Sequence, residues 1–508
     1  MSKRRIKALT VDEILFELQN VMNDEDVESA DAVIIPPEAD ALTDDEDIDD
    51  DCTGNVDIEE VAGSLELHVD AQIVNEEVND PARENVANCP EISVKTKQAP
   101  KKRKLCDSVP TWRCKPPKYT KVHDRTKAYE NNLMNMKEQL YSSTPVEVFE
   151  EIFSEEIVQL MIKESVRYAT ECKNRSATTI SSDDIKLFIG VLLISGYHKL
   201  PAETQYWSND EDLGLQIVKN AISRSRFQEI KSILHFCNNN EAENNKNDRG
   251  FKVRKLIAAA QKSFKKFGIF EECLAVDEMI VKYYGHHALK QFIRGKPIRF
   301  GYKFWALCGV SGYCYNFNLY CGKGSSDDNR SDLLLGSKVV LNMLDVVEEP
   351  QSYSVFFDNL FTGYELLVHL RELGFQATGT VRENRLKKCP LMDAKELKKQ
   401  KRGTYSFRFD TNEEILFVRW LDNTCVNIGT NYDTVEPLQK VKRWLKERKA
   451  KDSVCQPHVL KNYSAFMGGV DKHDWWVSKY ATSIRANKWY WPIFIRIVDM
   501  AVVNAHII

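Results

Sequence analysis

The chain has 508 residues, enough for two to four domains, and at 43% hydrophobic it can bury a sizeable core. No apolar run approaches the roughly 20 residues of a membrane helix, the opening MSKRRIKALTVDE has no apolar centre of a secretory kind, and the 13 cysteines never form a CxxC pair. The composition therefore points away from membrane, secreted disulfide-framed and zinc-knuckle proteins. The net charge of −5 is unevenly distributed: residues 1–94 carry 27 acids against 5 bases, and residues 95–508 carry 48 against 65. A basic body with an acidic arm implies a polyanionic partner; the arm either competes for that partner's surface or only solubilises the chain.

In chain order, Asp24 to Glu60 has no Lys or Arg and too little apolar surface to offset ordering, so disorder is expected. Residues 1–127 read as a disordered acidic arm followed by a basic linker. In that linker Lys101, Lys102, Arg103 and Lys104 follow Pro100 in the pattern of a nuclear import signal, which places the protein in the nucleus. Residues 128–265 read as helical. Thr144 with Glu147 forms a capping box before a helix with Pro145 at its first position. Ser154 starts a second helix, Ser182 caps a third through Leu187–Ile194, and Arg224–Leu234 suggests a fourth.

From Cys273 the pattern turns to strands: Leu274–Ile280, then Tyr302–Val310 and Tyr313–Tyr320 about a Ser311-Gly312 turn. Lys338–Val347 reads as a helix, Ser352–Phe357 as a strand, Tyr364–Leu373 as a helix stopped by Gly374, and Gln376–Thr380 as a strand. Residues 387–454 interrupt this order as a β-containing insertion with strands at Tyr405–Asp410, Ile415–Leu421 and Cys425–Ile428. Residues 266–386 and 455–474 then form one core, and 475–508 return as helix to the bundle of 128–265, being too rich in Trp489, Trp491, Phe494 and Val498 for a free tail.

Asp277 sits mid-strand, Asp358 at a strand end, and Asp471 and Asp474 open a late helix. Cutting a phosphodiester with two divalent metals requires acidic oxygens that converge in space, not in sequence. A loop dense in cations, including Arg294, Lys296, Arg299 and Lys303, follows the first acid and could neutralise phosphates.

The stretches RGKPIRFGYKFW, DEMIVKYYG, DNLFTG and MGGVDKHD resemble the core of the piggyBac transposase family, over roughly Thr144 to Asn504. The resemblance implies an α/β fold: a ribonuclease H-like catalytic core, a mixed sheet flanked by helices, with an α-helical DNA-binding and dimerisation bundle and a small β insertion. It implies that Asp277, Asp358 and Asp471 are catalytic and hold two Mg²⁺ (or Mn²⁺) ions, with Asp474 an auxiliary ligand. Arg382 and Arg385 match a family pair that contacts DNA, and Lys488 lies in a motif that could line the DNA path. The expected partner is double-stranded DNA, transposon ends joined at TTAA targets, acted on by a homodimer. Family members continue into a Cys-rich zinc module with no counterpart before Ile508, so no zinc is expected. The alternative is a domesticated nuclear DNA- or chromatin-binding protein with little catalysis.

Overall fold

The computed structural model describes residues 109–508 except 121–122, 176–177, 247, 293–297, 323–332 and 446–449, together with the backbone of 27–35 and 64–71. It divides into two units, one of Met1–Asp107 with Phe292–Gly295, the other of the remainder. In the first, β1 (Val27–Ile35) pairs antiparallel with β2 (Ser64–Ala71). β1 lies inside the stretch read as disordered. The signal passed over is the alternation Leu65, Leu67, Val69, whose register partners are Ile34, Ala32 and Ala30.

The second unit begins with β3 (Trp112–Arg113) and then runs through helices: α1 (Ala128–Leu140), α2 (Pro145–Ile152), α3 (Glu155–Glu171), α4 (Ser182–Tyr197), α5 (Gln216–Ala221), α6 (Arg224–Ile233) and α7 (Phe251–Phe264). The Thr144–Glu147 capping box forms as expected, with Pro145 first in the helix. The cap of α4 is Ser181, one residue before the expected Ser182. Ser181 has Asp184 three residues on, whose carboxylate accepts back from the Ser181 N–H at 2.9 Å, whereas Ser182 would face Ile185.

The strands follow: β4 (Cys273–Lys282), β5 (Gln291–Phe292), β6 (Phe300–Gly309), β7 (Cys314–Leu319), β8 (Ser354–Phe357) and β9 (Gln376–Thr380), with α8 (Leu335–Leu344) and α9 (Tyr364–Leu373) between the later ones. Gly312 at the β6–β7 turn has φ +96° and Gly374 after α9 has φ +99°, left-handed positions that glycine takes without Cβ strain. β4 pairs antiparallel with β6 and parallel with β8, β6 pairs antiparallel with β7, and β8 pairs parallel with β9. The order β7-β6-β4-β8-β9 is that of a ribonuclease H-like sheet.

After α10 (Ala394–Lys398) come β10 (Tyr405–Asp410), β11 (Ile415–Leu421) and β12 (Cys425–Thr430). They interrupt the chain but not the sheet. β12 pairs with β9 through Ile428–Thr380, Gly429–Gly379 and Thr430–Thr378, so these strands cover an edge that would otherwise be exposed. β3 closes the far side on β10, a strand inside what reads as linker. Asp410, fully buried, explains why it is held: its carboxylate accepts from the Thr111 N–H at 2.7 Å and from the Tyr364 hydroxyl at 2.6 Å. A separate two-stranded ribbon, β13 (Gln439–Leu445) with β14 (Ala450–Gln456), leads into α11 (His458–Phe466), α12 (Gly469–Lys479) and α13 (Trp491–Ile507).

α13 returns to the bundle as its apolar sequence requires, packing on α2 and α7. Phe494 is fully buried against Phe236 with centroids 5.3 Å apart, and the Tyr490 hydroxyl donates to the Leu234 carbonyl at 2.9 Å. One hydrophobic core runs from these helices through the central sheet, and a second lies around Leu416, Val418, Trp420 and Val454. A groove of about 510 Å³ lined by Val146, Phe149, Leu193 and Val502 stays open on the bundle. No described helix is long and apolar enough to cross a membrane.

Candidate metal centre

The register of the central sheet assembles the site. The last paired row across β4, β8 and β9 is Val276, Phe357 and Gly379. One residue further stand Asp277 on β4, Thr380 on β9 and, between them, Asp358, the first residue past β8. Asp358 thus falls beside Asp277 at the same end of the sheet, because the two strands are parallel neighbours.

Asp471 arrives from α12, and its position follows from how that helix is seated. Val470 and His473 are fully buried. The His473 ring nitrogen Nδ1 lies 2.8 Å from the Gly312 carbonyl oxygen at the β6–β7 turn. A Cβ on Gly469 would come within 2.5 Å of the Gly309 carbonyl oxygen, so only glycine lets the helix start this close to β6. With Val470 and His473 turned in, Asp471 is left exposed in the first turn, where a negative charge suits the helix N-terminus.

A single phenol reports on all three acids. Tyr463, on α11, lies 3.4 Å from the Thr380 hydroxyl. Burial pushes its phenol up to about 12, and the charges of Asp358, Asp277 and Asp471 add to the rise while Thr380 opposes it. α11 itself packs on β4, β9 and β12. No sequence motif marks Tyr463; its only signal is that it precedes Asp471 on a neighbouring helix.

The three carboxylates are near this phenol but do not close on one point. Among the described residues no three His, Cys, Asp or Glu side chains stand close enough to ligate one ion. Local bonds hold two of them at their stations: Asp277 Oδ1 accepts from the Glu278 N–H at 2.8 Å, and Asp358 Oδ1 from the Leu360 N–H at 2.7 Å. Like charges also resist closer approach. As a donor set, three carboxylates fit a hard divalent cation such as Mg²⁺ or Mn²⁺. The Asp474 carboxylate is paired with Arg496.

The candidate cations separate into groups. Arg382 and Arg385 reach back to the loop after Asp358. Arg385 Nη1 donates to the carbonyls of Leu360 and Asn359 at 2.8 and 3.1 Å, and Arg382 Nε lies 3.5 Å from Asn359 Oδ1. Lys303 is bound to Glu278 at 2.7 Å and lies 4.3 Å from the Trp305 ring centroid. Lys488 caps the end of α6, donating to the Ser232 carbonyl at 2.6 Å, and so serves the bundle. Arg299 is exposed. Arg294 and Lys296, like Lys101, Lys102, Arg103 and Lys104, lie outside the described residues.

A ribonuclease H-like sheet with carboxylates on its first strand, just past its fourth and on a following helix is an arrangement that transposases share with other nucleic-acid-cutting proteins. Comparison with known proteins agrees: a family model described as "Transposase IS4" matches residues 144–506. The human PiggyBac transposable element-derived protein 3 is 33% identical over 97% of this chain and 83% of its own length. The human PiggyBac transposable element-derived protein 2 is 38% identical over 74% of this chain, and the human chimeric ERCC6-PGBD3 protein 33% identical over 99%. The chain spans 63% and 47% of the lengths of these last two. The cryo-EM structure of the piggyBac transposase synaptic complex with hairpin DNA shares the fold, with a TM-score of 0.58 at 21% identity over 72% of this chain and 74% of that one. The chain belongs to the piggyBac transposable element-derived family.

Proposed function

We propose that this protein cuts and joins DNA strands with divalent metal ions held by Asp277, Asp358 and Asp471. The observation that carries the reading is the register that sets Asp277 on β4 beside Asp358 just past β8, with Asp471 at the start of α12 near enough to join them in raising the Tyr463 phenol. Mg²⁺ or Mn²⁺ bound there would supply Lewis acidity and lower the pKa of a bound water. The protein's own contribution is to place the acids: β4 and β8 fix two by register, and the close seating of α12 on β6 fixes the third. Arg385 secures the loop after Asp358, and Arg382 stands beside it, within reach of a phosphate drawn to the acids. The substrate class is double-stranded DNA, with joining at TTAA sites and a homodimer as the working form by family likeness. Nuclear residence goes with a DNA partner and is supported by the basic run Lys101, Lys102, Arg103 and Lys104, read as an import signal.

A second reading, a DNA-binding protein with little cleavage, is favoured by Asp474, whose carboxylate is tied to Arg496. Incubation of the full chain with TTAA-flanked duplex and Mg²⁺ or Mn²⁺ separates the two. Metal-dependent nicking that disappears in Asp277→Asn supports the first reading, and duplex binding without any nicking supports the second.

A further inference from the structure

We infer that the β13–β14 ribbon is a second nucleic-acid contact, in which one lysine-rich face grips the phosphates of duplex DNA and Trp444 packs against its sugars or bases. The inference rests on the DNA-binding reading above but concerns a surface distinct from the three aspartates.

The ribbon's register sorts its side chains onto two faces. Cross-strand pairs alternate: Lys440 with Cys455, Lys442 with Ser453 and Trp444 with Lys451 on one face, Val441 with Val454 and Arg443 with Asp452 on the other. All six residues of the first face are exposed, Trp444 at 56%, and none of them is acidic. Among the described residues this face sets three lysines together with no carboxylate, so its natural complement is a polyanion. An exposed tryptophan among lysines adds a flat surface for stacking, a pairing that serves nucleic acid better than an acidic peptide. A two-stranded ribbon is also one of the few elements that a DNA major groove admits.

An isolated ribbon is marginal in water, so it must be braced to present such a face. The brace is visible on the opposite side. Val454 is buried in the second core. The Trp420 indole N–H donates to the Cys455 carbonyl at 2.8 Å. Asp422 takes both Arg443, at 3.1 Å, and Arg402, at 2.6 Å, and Arg402 also donates to the Trp444 carbonyl at 3.0 Å. Cationic side chains on the rear are thereby neutralised or turned inward, and those in front are left for a partner.

The test uses the full chain, a short duplex, and two variants at exposed positions: Lys440→Gln/Lys442→Gln/Lys451→Gln and, separately, Trp444→Ala. Anisotropy titrations over a range of salt should give the triple variant a log–log salt slope shallower by about 2–3, since each phosphate contact contributes about 0.9. Trp444→Ala should weaken binding several-fold with the slope unchanged, because it removes packing against the duplex and no charge. Duplex should also slow alkylation of Cys455 while leaving Cys172, an exposed thiol of the bundle, untouched. Wild-type slope and affinity in both variants, or Cys455 labelled at the same rate with and without DNA, would overturn the ribbon assignment while leaving DNA binding itself intact. An equal loss of binding to polyglutamate would overturn the duplex as its partner. Failure of the wild-type chain to bind duplex at all would remove both this inference and the reading on which it rests.

Discussion

Tyr463 connects the geometry of the site with its electrostatics. A phenol near three carboxylates can donate its proton to a water held between it and them, and so fix that water in place. Tyr463→Phe keeps the ring and removes the donor, so it should weaken Mn²⁺ binding several-fold while the melting temperature moves little; an unchanged affinity would make the residue mere packing. Asp499 makes a different prediction. It is buried on α13, accepting from the Thr482 hydroxyl at 2.9 Å, and burial raises its carboxyl from 3.8 to about 6 against the pull of Thr482 and Arg496. The folded chain therefore holds this proton more tightly than the unfolded chain. The stabilisation is complete below the unfolded value near 4 and is lost as pH rises through 6. Asp499→Asn, neutral at every pH and still able to accept from Thr482, should be more stable than wild type by roughly 2–3 kcal/mol at neutral pH, with the advantage vanishing near pH 4. Thermal melts across that range check it, and a constant difference would contradict it.

At the scale of elements, two supports can be removed singly. Arg385→Ala should release the carbonyls that order the loop after Asp358. Weaker metal binding with a modest fall in melting temperature is expected, and full affinity would show that the loop holds itself. Phe494→Ala should cost roughly 3–5 kcal/mol, because α13 joins the helices to the core of the sheet and the cavity cannot collapse; urea unfolding measures it. The elements that carry these residues differ in how far the sequence announces them. Gln376–Thr380 is bounded by Gly374 and ends where the strand ends, and the Ser311-Gly312 turn declares its hairpin, because both signals are local. β3 is two residues long among prolines, and only its pairing with β10 makes it a strand, so no periodicity reveals it. Tyr463–Met467 reads as the resumption of the core without its helix being evident, and the convergence of Tyr463 with Asp277 depends on contacts nearly two hundred positions apart. The three acids are legible through their motifs; the tyrosine among them is legible only in the fold.

At the scale of the whole molecule, charge and site make one account. The body of residues 95–508 carries 65 bases against 48 acids, and the arm of residues 1–94 carries 27 acids against 5 bases. If the arm competes with DNA, its deletion should tighten duplex binding at low salt and the gain should shrink as salt screens it; equal affinities would mark the arm as a bystander. The central claim is that Asp277, Asp358 and Asp471 jointly hold divalent metal. Its most direct measurement is Mn²⁺ binding to the full chain by electron paramagnetic resonance, in wild type and in Asp277→Asn, Asp358→Asn and Asp471→Asn, each checked by thermal melting. The account predicts saturable binding in wild type and a loss of about tenfold or more in each variant, as removal of a ligand charge requires. Binding of equal strength in all four proteins would contradict it.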